Sequence, residues 1–272
     1  MMSNEVRVAA LDSITQMTDS HSGQVVVAAS HGAVYAAYVA AKGGSRAVIL
    51  NDAGVGKGEA GISGLGYLDR FSIPAATTSH TSGRIGDGAD MLTRGVISYV
   101  NKAAEALGCH PGLSCAECAA ILKAAPIASS KPPAQSESRM LLRSEPGEPE
   151  VWGADSASLV LPEDKDHIVI TGSHGQLLGN KPETALKYDA LTAVFSDAGM
   201  GVDRAGVSRL PALDARGIPA ATVSADSARI GDARSLYQEG VISCVNDTAA
   251  AMGATVGIST RDFVTRIIAA RQ

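Results

Sequence analysis

Short apolar runs alternate with longer mixed segments in the first part of the chain. The runs are four or five residues long, rich in Ala and β-branched residues, and lie at Val25–Ala29, Ala47–Leu50 and Ala75–Thr78. The segments between them, Ala33–Lys42 and about Ala60–Phe71, have the length and composition of helices. Short strands that alternate with helices of 10–12 residues predict a mostly parallel α/β sheet.

The second part of the chain repeats this pattern. Its predicted strands are His167–Thr171, Leu191–Phe195 and Ala220–Val223, and its predicted helices end near Tyr188 and Ala215. Towards the end of each part, Ser98 or Ser243 is expected to open a helix that runs to Gly108 or Gly253. Ser114 and Ser259 precede further segments in the manner of helix-capping residues.

The repeat extends to the polar residues. Residues 51–101 align with 196–246 without a gap at an offset of 145, and 27 of the 51 pairs are identical. Asp-Ala-Gly and Arg-Ile-Gly-Asp recur within this alignment, and Ser-His-Gly at 30–32 recurs at 173–175. A period this long indicates a domain duplication, because solenoid repeats are about 20–50 residues long.

The fold class predicted from these patterns is an internally duplicated α/β protein. It would have two homologous lobes related by a pseudo-twofold axis, each with a mostly parallel sheet flanked by helices. Lobe 1 is expected at 1–125 and lobe 2 at 148–272. Residues 126–147 contain several Pro, Ser and Glu residues, which predicts an exposed linker.

Composition and charge narrow the functional classes. A net charge of −5 argues against a nucleic-acid partner, which usually meets a basic surface. The chain has neither an apolar run of about 20 residues nor a leader pattern, so no membrane partner is expected. Four cysteines in 272 residues suit a reducing cytoplasm rather than a disulfide scaffold. A small-molecule substrate is expected, and a homo-oligomer is left open.

The polar motifs follow directly after predicted strands. Ligands bind beyond the carboxyl ends of the strands in an open parallel sheet, so we expect these motifs to meet at one edge. His and Asp there would supply acid/base catalysis, and a Ser hydroxyl could act as a nucleophile. The catalytic candidates are Ser30, His31, Asp52, Ser79, His174 and Asp197.

A second set of residues has the charge to bind a substrate. Arginine recognises carboxylates and phosphates with two parallel hydrogen bonds. The substrate-binding candidates are Lys57, His80, Arg84, Asp87, Arg229 and Asp232. Lys57, Glu59 and His80 align with Val202, Arg204 and Ala225, so lobe 1 would supply more of the reactive groups.

Each motif also has a structural interpretation. His31 could satisfy a loop carbonyl, Asp52 could hold loop amides, and Arg84 with Asp87 could form an internal ion pair that fixes the loop. No cofactor fingerprint is present. A divalent metal is an alternative, since His31, Asp52, His80 and Asp87 have suitable donor atoms. Cys109, Cys115 and Cys118 with His110 have zinc-ligand types, but incidental thiols are favoured because lobe 2 has no counterparts.

Two family resemblances are limited to the strand ends. A strand ending in His-Gly, followed by one ending in Asp-Ala, resembles the caspase-like cysteine peptidases, whose nucleophilic cysteine would fall at Gly54 or Gly199. Two similar α/β lobes also resemble the aspartate/glutamate racemases, whose paired cysteines have no match here. Neither resemblance therefore assigns a family or an activity.

The function expected from the sequence is an enzyme that acts on a small, polar, anionic metabolite bound between the lobes. Hydrolysis of an amide-type C–N bond is favoured, with His31 as the general base, Asp52 orienting it, Ser30 or Ser79 as the hydroxyl, and Arg84 holding substrate charge. One alternative is an isomerase, racemase or lyase with paired acid/base groups. Another is a non-catalytic ligand-binding or assembly protein.

Overall fold

The structure is a computed structural model that describes residues 5–130 and 132–271. The chain divides into two compact units, and each unit includes one short segment from the opposite part of the sequence. Unit 1 comprises the described residues within 1–53, 60–135 and 201–203. Unit 2 comprises those within 54–59, 136–200 and 204–272. The two short segments overlap in the sequence alignment, since residues 54–59 align with 199–204.

Within the described residues, unit 1 contains a five-stranded sheet in the order β1-β2-β3-β4-β5. Its strands are β1 (Val8–Leu11), β2 (Val25–His31), β3 (Ala47–Asn51), β4 (Ala75–Thr78) and β5 (Ile97–Val100). The first four strands are parallel, and β5 pairs with β4 in the antiparallel direction. Every residue of β3 and β4 is buried, as expected when both faces of a parallel sheet are covered.

Helices cover both faces of this sheet. They are α1 (Val34–Lys42), α2 (Ser63–Asp69), α3 (Gly88–Arg94), α4 (Lys102–Glu105) and α5 (Cys115–Leu122). One apolar layer joins α1 and α2 to the sheet through residues such as Ala37 and Leu68. The other layer includes Met91 of α3 and Leu122 of α5. The carboxyl ends of the parallel strands are therefore fixed by a core on each side.

The described part of unit 2 contains a six-stranded sheet in the order β11-β10-β9-β8-β7-β6. Its strands are β6 (Arg139–Arg143), β7 (Val151–Ala154), β8 (Ile168–His174), β9 (Thr192–Ser196), β10 (Ala220–Val223) and β11 (Ile242–Val245). The four inner strands are parallel, and the two edge strands are antiparallel. Its helices are α6 (Arg209–Asp214), α7 (Ala233–Glu239), α8 (Asp247–Ala251) and α9 (Thr260–Ala269). The predicted α/β class, with mostly parallel sheets flanked by helices, is confirmed.

The prediction that Ser98 and Ser243 open helices is wrong. Both residues lie inside edge strands, β5 and β11, and the following helices begin at Lys102 and Asp247. β-Branched residues around each serine favour the strand, and the Ser98 hydroxyl lies 3.1 Å from the Thr77 hydroxyl on β4. The helix is started instead by Asn101, whose side chain accepts a hydrogen bond from the Ala104 N–H. Ser114 and Ser259 do cap α5 and α9 as expected.

The helix predicted to end near Tyr188 is also absent from the described residues. Two 3-10 turns, Leu178–Asn180 and Pro182–Thr184, replace it. Gly179 and Asn180 have φ values of 56° and 58°, in the left-handed region, and Pro182 cannot donate a backbone hydrogen bond. This sequence interrupts a right-handed helix.

A buried arginine accompanies the missing helix. In unit 1, Gly64 lets α2 approach α1, because a Cβ there would lie 2.7 Å from the Ala37 Cβ. The aligned residue in unit 2 is Arg209, which is only 4% exposed. Its guanidinium donates to the carbonyls of Gln176 and Ala185 at 3.0 and 2.5 Å. The Arg209 side chain thus fills, in unit 2, the space where α1 and α2 pack together in unit 1, and its N–H groups donate to backbone carbonyls there.

Residues 139–143, inside the predicted linker, form the edge strand β6. The strand pairs with β7, and the Arg139 guanidinium lies 3.9 Å from the centre of the Trp152 ring. Arg139 also pairs with the buried Asp164 at 2.5 Å. Part of this Pro-rich segment is therefore ordered by sheet pairing and by one cation–π contact.

Candidate functional site

The polar residues at the strand ends of unit 1 lie side by side. His31 ends β2 and pairs in register with Asn51, the last residue of β3. Asn51 pairs in turn with Thr78, the last residue of β4. Asp52, Ser79 and His80 follow these positions directly, so three neighbouring strands present their polar termini at one sheet edge.

Asp52 and His80 form a hydrogen-bonded pair at this edge. The His80 Nδ1 lies 2.8 Å from the Asp52 Oδ1, and the His80 backbone N–H donates to the same oxygen at 2.9 Å. The Asp52 side chain is 3% exposed, whereas that of His80 is 24% exposed. A buried carboxylate that accepts from Nδ1 fixes the imidazole tautomer and leaves Nε2 as the proton acceptor.

The sequence placed Asp52 with His31 and assigned His80 to substrate binding. His80 could have been recognised as the partner of Asp52, because a Ser-His pair follows β4 just as Ser-His ends β2. A catalytic role for His31 or for His80 stays a prediction.

His31 has a different environment. It is half-buried, and its Nδ1 accepts a hydrogen bond from the Ala33 N–H at 3.4 Å. Burial lowers the pKa of His31 from 6.5 to about 4. The ring is therefore neutral at pH 7, and its Nε2 carries the proton. Such a histidine is better suited to donate a hydrogen bond than to accept a proton.

The two candidate hydroxyls in unit 1 are both hydrogen-bonded to the backbone. The Ser30 side chain accepts from the Ile14 N–H at 2.9 Å, and the residue is 7% exposed. The Ser79 side chain lies 2.8 Å from the Thr81 hydroxyl and accepts from the Thr81 N–H at 3.2 Å. Ser79 is half-buried and directly precedes His80, so it is the more accessible of the two.

Arg84 and Asp87 have structural partners in unit 1. The Arg84 guanidinium pairs with Asp90 at 2.9 Å and with Asp203 at 2.5 Å. Arg94 pairs with the same two aspartates at 2.7 and 3.0 Å. Asp87 caps α3 by accepting from the Asp90 N–H. Two arginines and two aspartates thus form one charge-balanced network.

Unit 2 repeats the strand-end geometry without the second histidine. Asp197 is 4% exposed, and its Oδ1 accepts from the backbone N–H groups of Gly199 and Ala225, each at 2.9 Å. Ala225 aligns with His80, so no imidazole takes the place of that ring. The buried His174 accepts from the Gln176 N–H at 3.3 Å. The Asp197 and His174 side chains in unit 2 therefore serve to hold the backbone of the loops that follow the strands.

The remaining candidates in unit 2 lie near α7 and the loop that precedes it. Asp232 caps this helix by accepting from the Ser235 N–H. The Lys57 ammonium donates to the Ser227 carbonyl at 3.2 Å and lies 3.5 Å from the Glu239 carboxylate. Arg229 is exposed, and within the part of the chain that the structure describes its guanidinium donates no hydrogen bond.

The segments after Asp52 and Asp197 have unusual backbone conformations. Residues 53–56 have φ values of 49°, 79°, 61° and 67°, and residues 198–201 have 48°, 73°, 64° and 68°. Four consecutive left-handed residues are uncommon, and at Val55 and Met200 they involve a side chain that disfavours this region.

The described residues contain no group of three or more His, Cys, Asp or Glu side chains placed to hold a metal ion. Cys109, Cys115 and Cys118 are buried together in the apolar layer of unit 1. Burial raises the pKa of Cys115 to about 12, so its thiol stays protonated and unreactive near neutral pH. These thiols contribute to packing, as the sequence favoured.

One surface cavity of about 460 Å³ lies at the opposite edge of the unit 1 sheet. It is lined by Asp69, Arg70, Ser72, Lys102 and Ala103, beside the amino end of β4. Asp69 accepts hydrogen bonds there from the N–H groups that open α4. The cavity and the histidine-bearing strand ends are therefore separate features.

Comparisons with known proteins return no match. No protein-family model, no curated protein and no solved structure is significantly similar to this chain. Within the described residues, no helix combines the length and the apolar character needed to cross a membrane.

Proposed function

We propose that the protein is an enzyme that hydrolyses an amide-type C–N bond of a small, polar, anionic metabolite. The supporting observation is the Asp52–His80 pair, in which a buried carboxylate holds Nδ1 at 2.8 Å and the imidazole is partly exposed. Such a pair can act as a general base.

The proposed reaction begins when His80 Nε2 accepts a proton from water or from the Ser79 hydroxyl. The resulting oxygen nucleophile attacks the amide carbon, and the carbonyl π electrons move to oxygen. The oxyanion then re-forms the carbonyl while the C–N bond breaks and the imidazolium gives its proton to the leaving nitrogen. Where Ser79 is the nucleophile, a water deprotonated by His80 then cleaves the acyl-serine ester, and the proton returns to the Ser79 oxygen. Asp52 stabilises the imidazolium, and the neutral His31 offers an Nε2–H donor at the same sheet edge.

His80→Ala is the central variant. Alanine occupies the aligned position 225, where its N–H still donates to Asp197 at 2.9 Å, so we expect the fold to be kept. The substrates would be dicarboxylic monoamides and N-acyl amino acids, with release of ammonia or amine as the readout. We expect kcat/KM to fall by at least about 100-fold, the usual range for loss of a general base.

The exposed His110 provides the control, since His110→Ala should retain wild-type turnover. Wild-type turnover by His80→Ala would refute the assignment. A test without substrate is two-bond ¹H–¹⁵N NMR of the imidazoles. We expect the neutral His80 ring to carry its proton on Nδ1, and an Nε2–H tautomer would contradict the proposed base.

One observation favours a non-catalytic ligand-binding or assembly function. Ser30, Arg84 and Asp87 all serve structural hydrogen bonds or ion pairs, although Arg84 pairs with Asp90 and Asp203 rather than with Asp87. If a ligand shifts the His80 signals in NMR titrations while no member of the amide series is turned over, this second function is the correct one.

We also propose that the two units arose by duplication and that the protein acts in the cytoplasm. The strand registers support the first point, because Val8 pairs with Val25 just as Val151 pairs with Ile168, both at the 143-residue offset. The four free cysteines fit a reducing compartment.

A further inference from the structure

Unit 1 contains a carboxylate whose counterpart is missing from unit 2. Asp203 bridges Arg84 and Arg94, with distances of 2.5 and 3.0 Å between its Oδ2 and the two guanidinium groups. At the 145-residue offset, Asp203 aligns with Gly58 and Arg84 aligns with Arg229. The arginine is thus kept in unit 2, but the residue aligned with Asp203, one of the two carboxylate partners of Arg84, is a glycine.

Gly58 leaves space beside Arg229. A Cβ built on Gly58 would lie 3.4 Å from the Arg229 Nε, so the two residues are direct neighbours in unit 2. The backbone is comparable at both positions, with φ values of 61° at Gly58 and 54° at Asp203. An aspartate at 58 would therefore start from the conformation that places the Asp203 carboxylate against Arg84.

Two cationic side chains interact with one carboxylate near this position in unit 2. Lys57 and Arg229 are cationic, and Glu239 is the facing anion, which receives a hydrogen bond from Ser235 at 2.6 Å. The Ser235 hydrogen bond, with the charges of Lys57 and Arg229, lowers the pKa of Glu239. With Glu239 ionised, Lys57, Arg229 and Glu239 carry one positive charge in sum.

We propose that Arg229, Lys57 and the backbone at Gly58 form a binding site for the carboxylate of a small monoanionic ligand. The ligand takes the place that the Asp203 side chain occupies in the aligned network of unit 1. Arg229 is exposed and can offer its planar guanidinium to both carboxylate oxygens, while Lys57 adds a point charge. This site does not depend on the proposed hydrolysis.

A reciprocal pair of variants tests the site. Gly58→Asp supplies the missing carboxylate within the chain, and Asp203→Gly removes it from unit 1. The probe is sodium acetate, compared with sodium phosphate and with sodium chloride at equal ionic strength. The readout is the ¹H–¹⁵N signal of each arginine Nε–H group, assigned with the Arg229→Gln and Arg84→Gln variants.

We expect acetate to shift the Arg229 signal saturably in the wild type, and Gly58→Asp to weaken the apparent affinity at least about 10-fold. Asp203→Gly should make the Arg84 signal responsive as well. Circular dichroism verifies the fold of each variant, and Arg229→Gln gives a second route to loss of binding if Gly58→Asp unfolds. An unresponsive Arg229, an unchanged response in Gly58→Asp, or stronger binding of phosphate than acetate would overturn the proposal.

Discussion

The low pKa of His31 makes the stability of unit 1 sensitive to acid. Burial places the pKa at about 4 in the folded chain, against 6.5 for an unperturbed histidine. Between these two values the unfolded chain binds a proton that the folded chain does not bind, so stability falls as the pH falls through this window. The cost is close to zero at pH 7, about 2 kcal/mol at pH 5, and about 3 kcal/mol below pH 4.

His31→Asn removes the titrating ring and keeps an acceptor. The asparagine Oδ1 can take the place of Nδ1, which accepts from the Ala33 N–H at 3.4 Å. The free energy of unfolding is measured by urea unfolding followed by circular dichroism. When the pH is lowered from 7 to 5, we expect the variant to gain about 2 kcal/mol of stability relative to the wild type. The exposed His110→Asn serves as the control.

Parallel pH dependences for the wild type and His31→Asn would refute this reasoning. A direct NMR titration provides a second check, because the His31 ring signal should titrate near pH 4. A midpoint near 6.5 would mean that the ring is hydrated well enough to carry its charge.

Two further predictions concern a carboxyl group and a backbone conformation. Burial, with the charge of Asp155 second, raises the pKa of Glu137 from 4.5 to about 7, so the stability of unit 2 falls as the pH rises from 4.5 to 7, and the loss is complete above pH 7. Glu137→Gln should therefore raise the free energy of unfolding by about 2 kcal/mol at pH 8 and have little effect at pH 4, and an equal effect at both would contradict this cause. Val55 has a φ of 61°, so Val55→Gly should raise stability by about 1 kcal/mol in thermal unfolding, whereas Val55→Ala keeps a Cβ and should gain less.

The parallel strands β2–β4 and β8–β10 could be predicted because each contains a continuous apolar run, whereas the parallel strands β1 and β7 were missed. All five residues of β3 and all four of β4 are buried, so the sequence shows no polar alternation there. The short edge strands β5 and β11 were missed because Ser98 and Ser243 resemble helix caps locally. Their strand character comes from pairing with distant residues, which a local pattern does not contain.

The positions of the polar residues at the strand ends were predicted in part for a related reason. Strand order brings His31, Asp52 and His80 to one edge, and this follows from the motifs and the fold class. Which histidine faces Asp52 depends on side-chain directions after two different strands, and the sequence does not encode these locally. One partner of Arg84 was also hidden, because Asp203 is more than 100 positions away in the chain.

The composition of the two units has a consequence for synthesis of the protein on the ribosome. Unit 1 includes residues 201–203, and Asp203 completes its network with Arg84 and Arg94. The first sheet can form as soon as its strands emerge, but its last ion pairs must wait until most of the second sheet has been translated. During this interval, Arg84 and Arg94 in the nascent chain lack Asp203, one of their two carboxylate partners. The N-terminal part therefore reaches its final set of contacts late in translation.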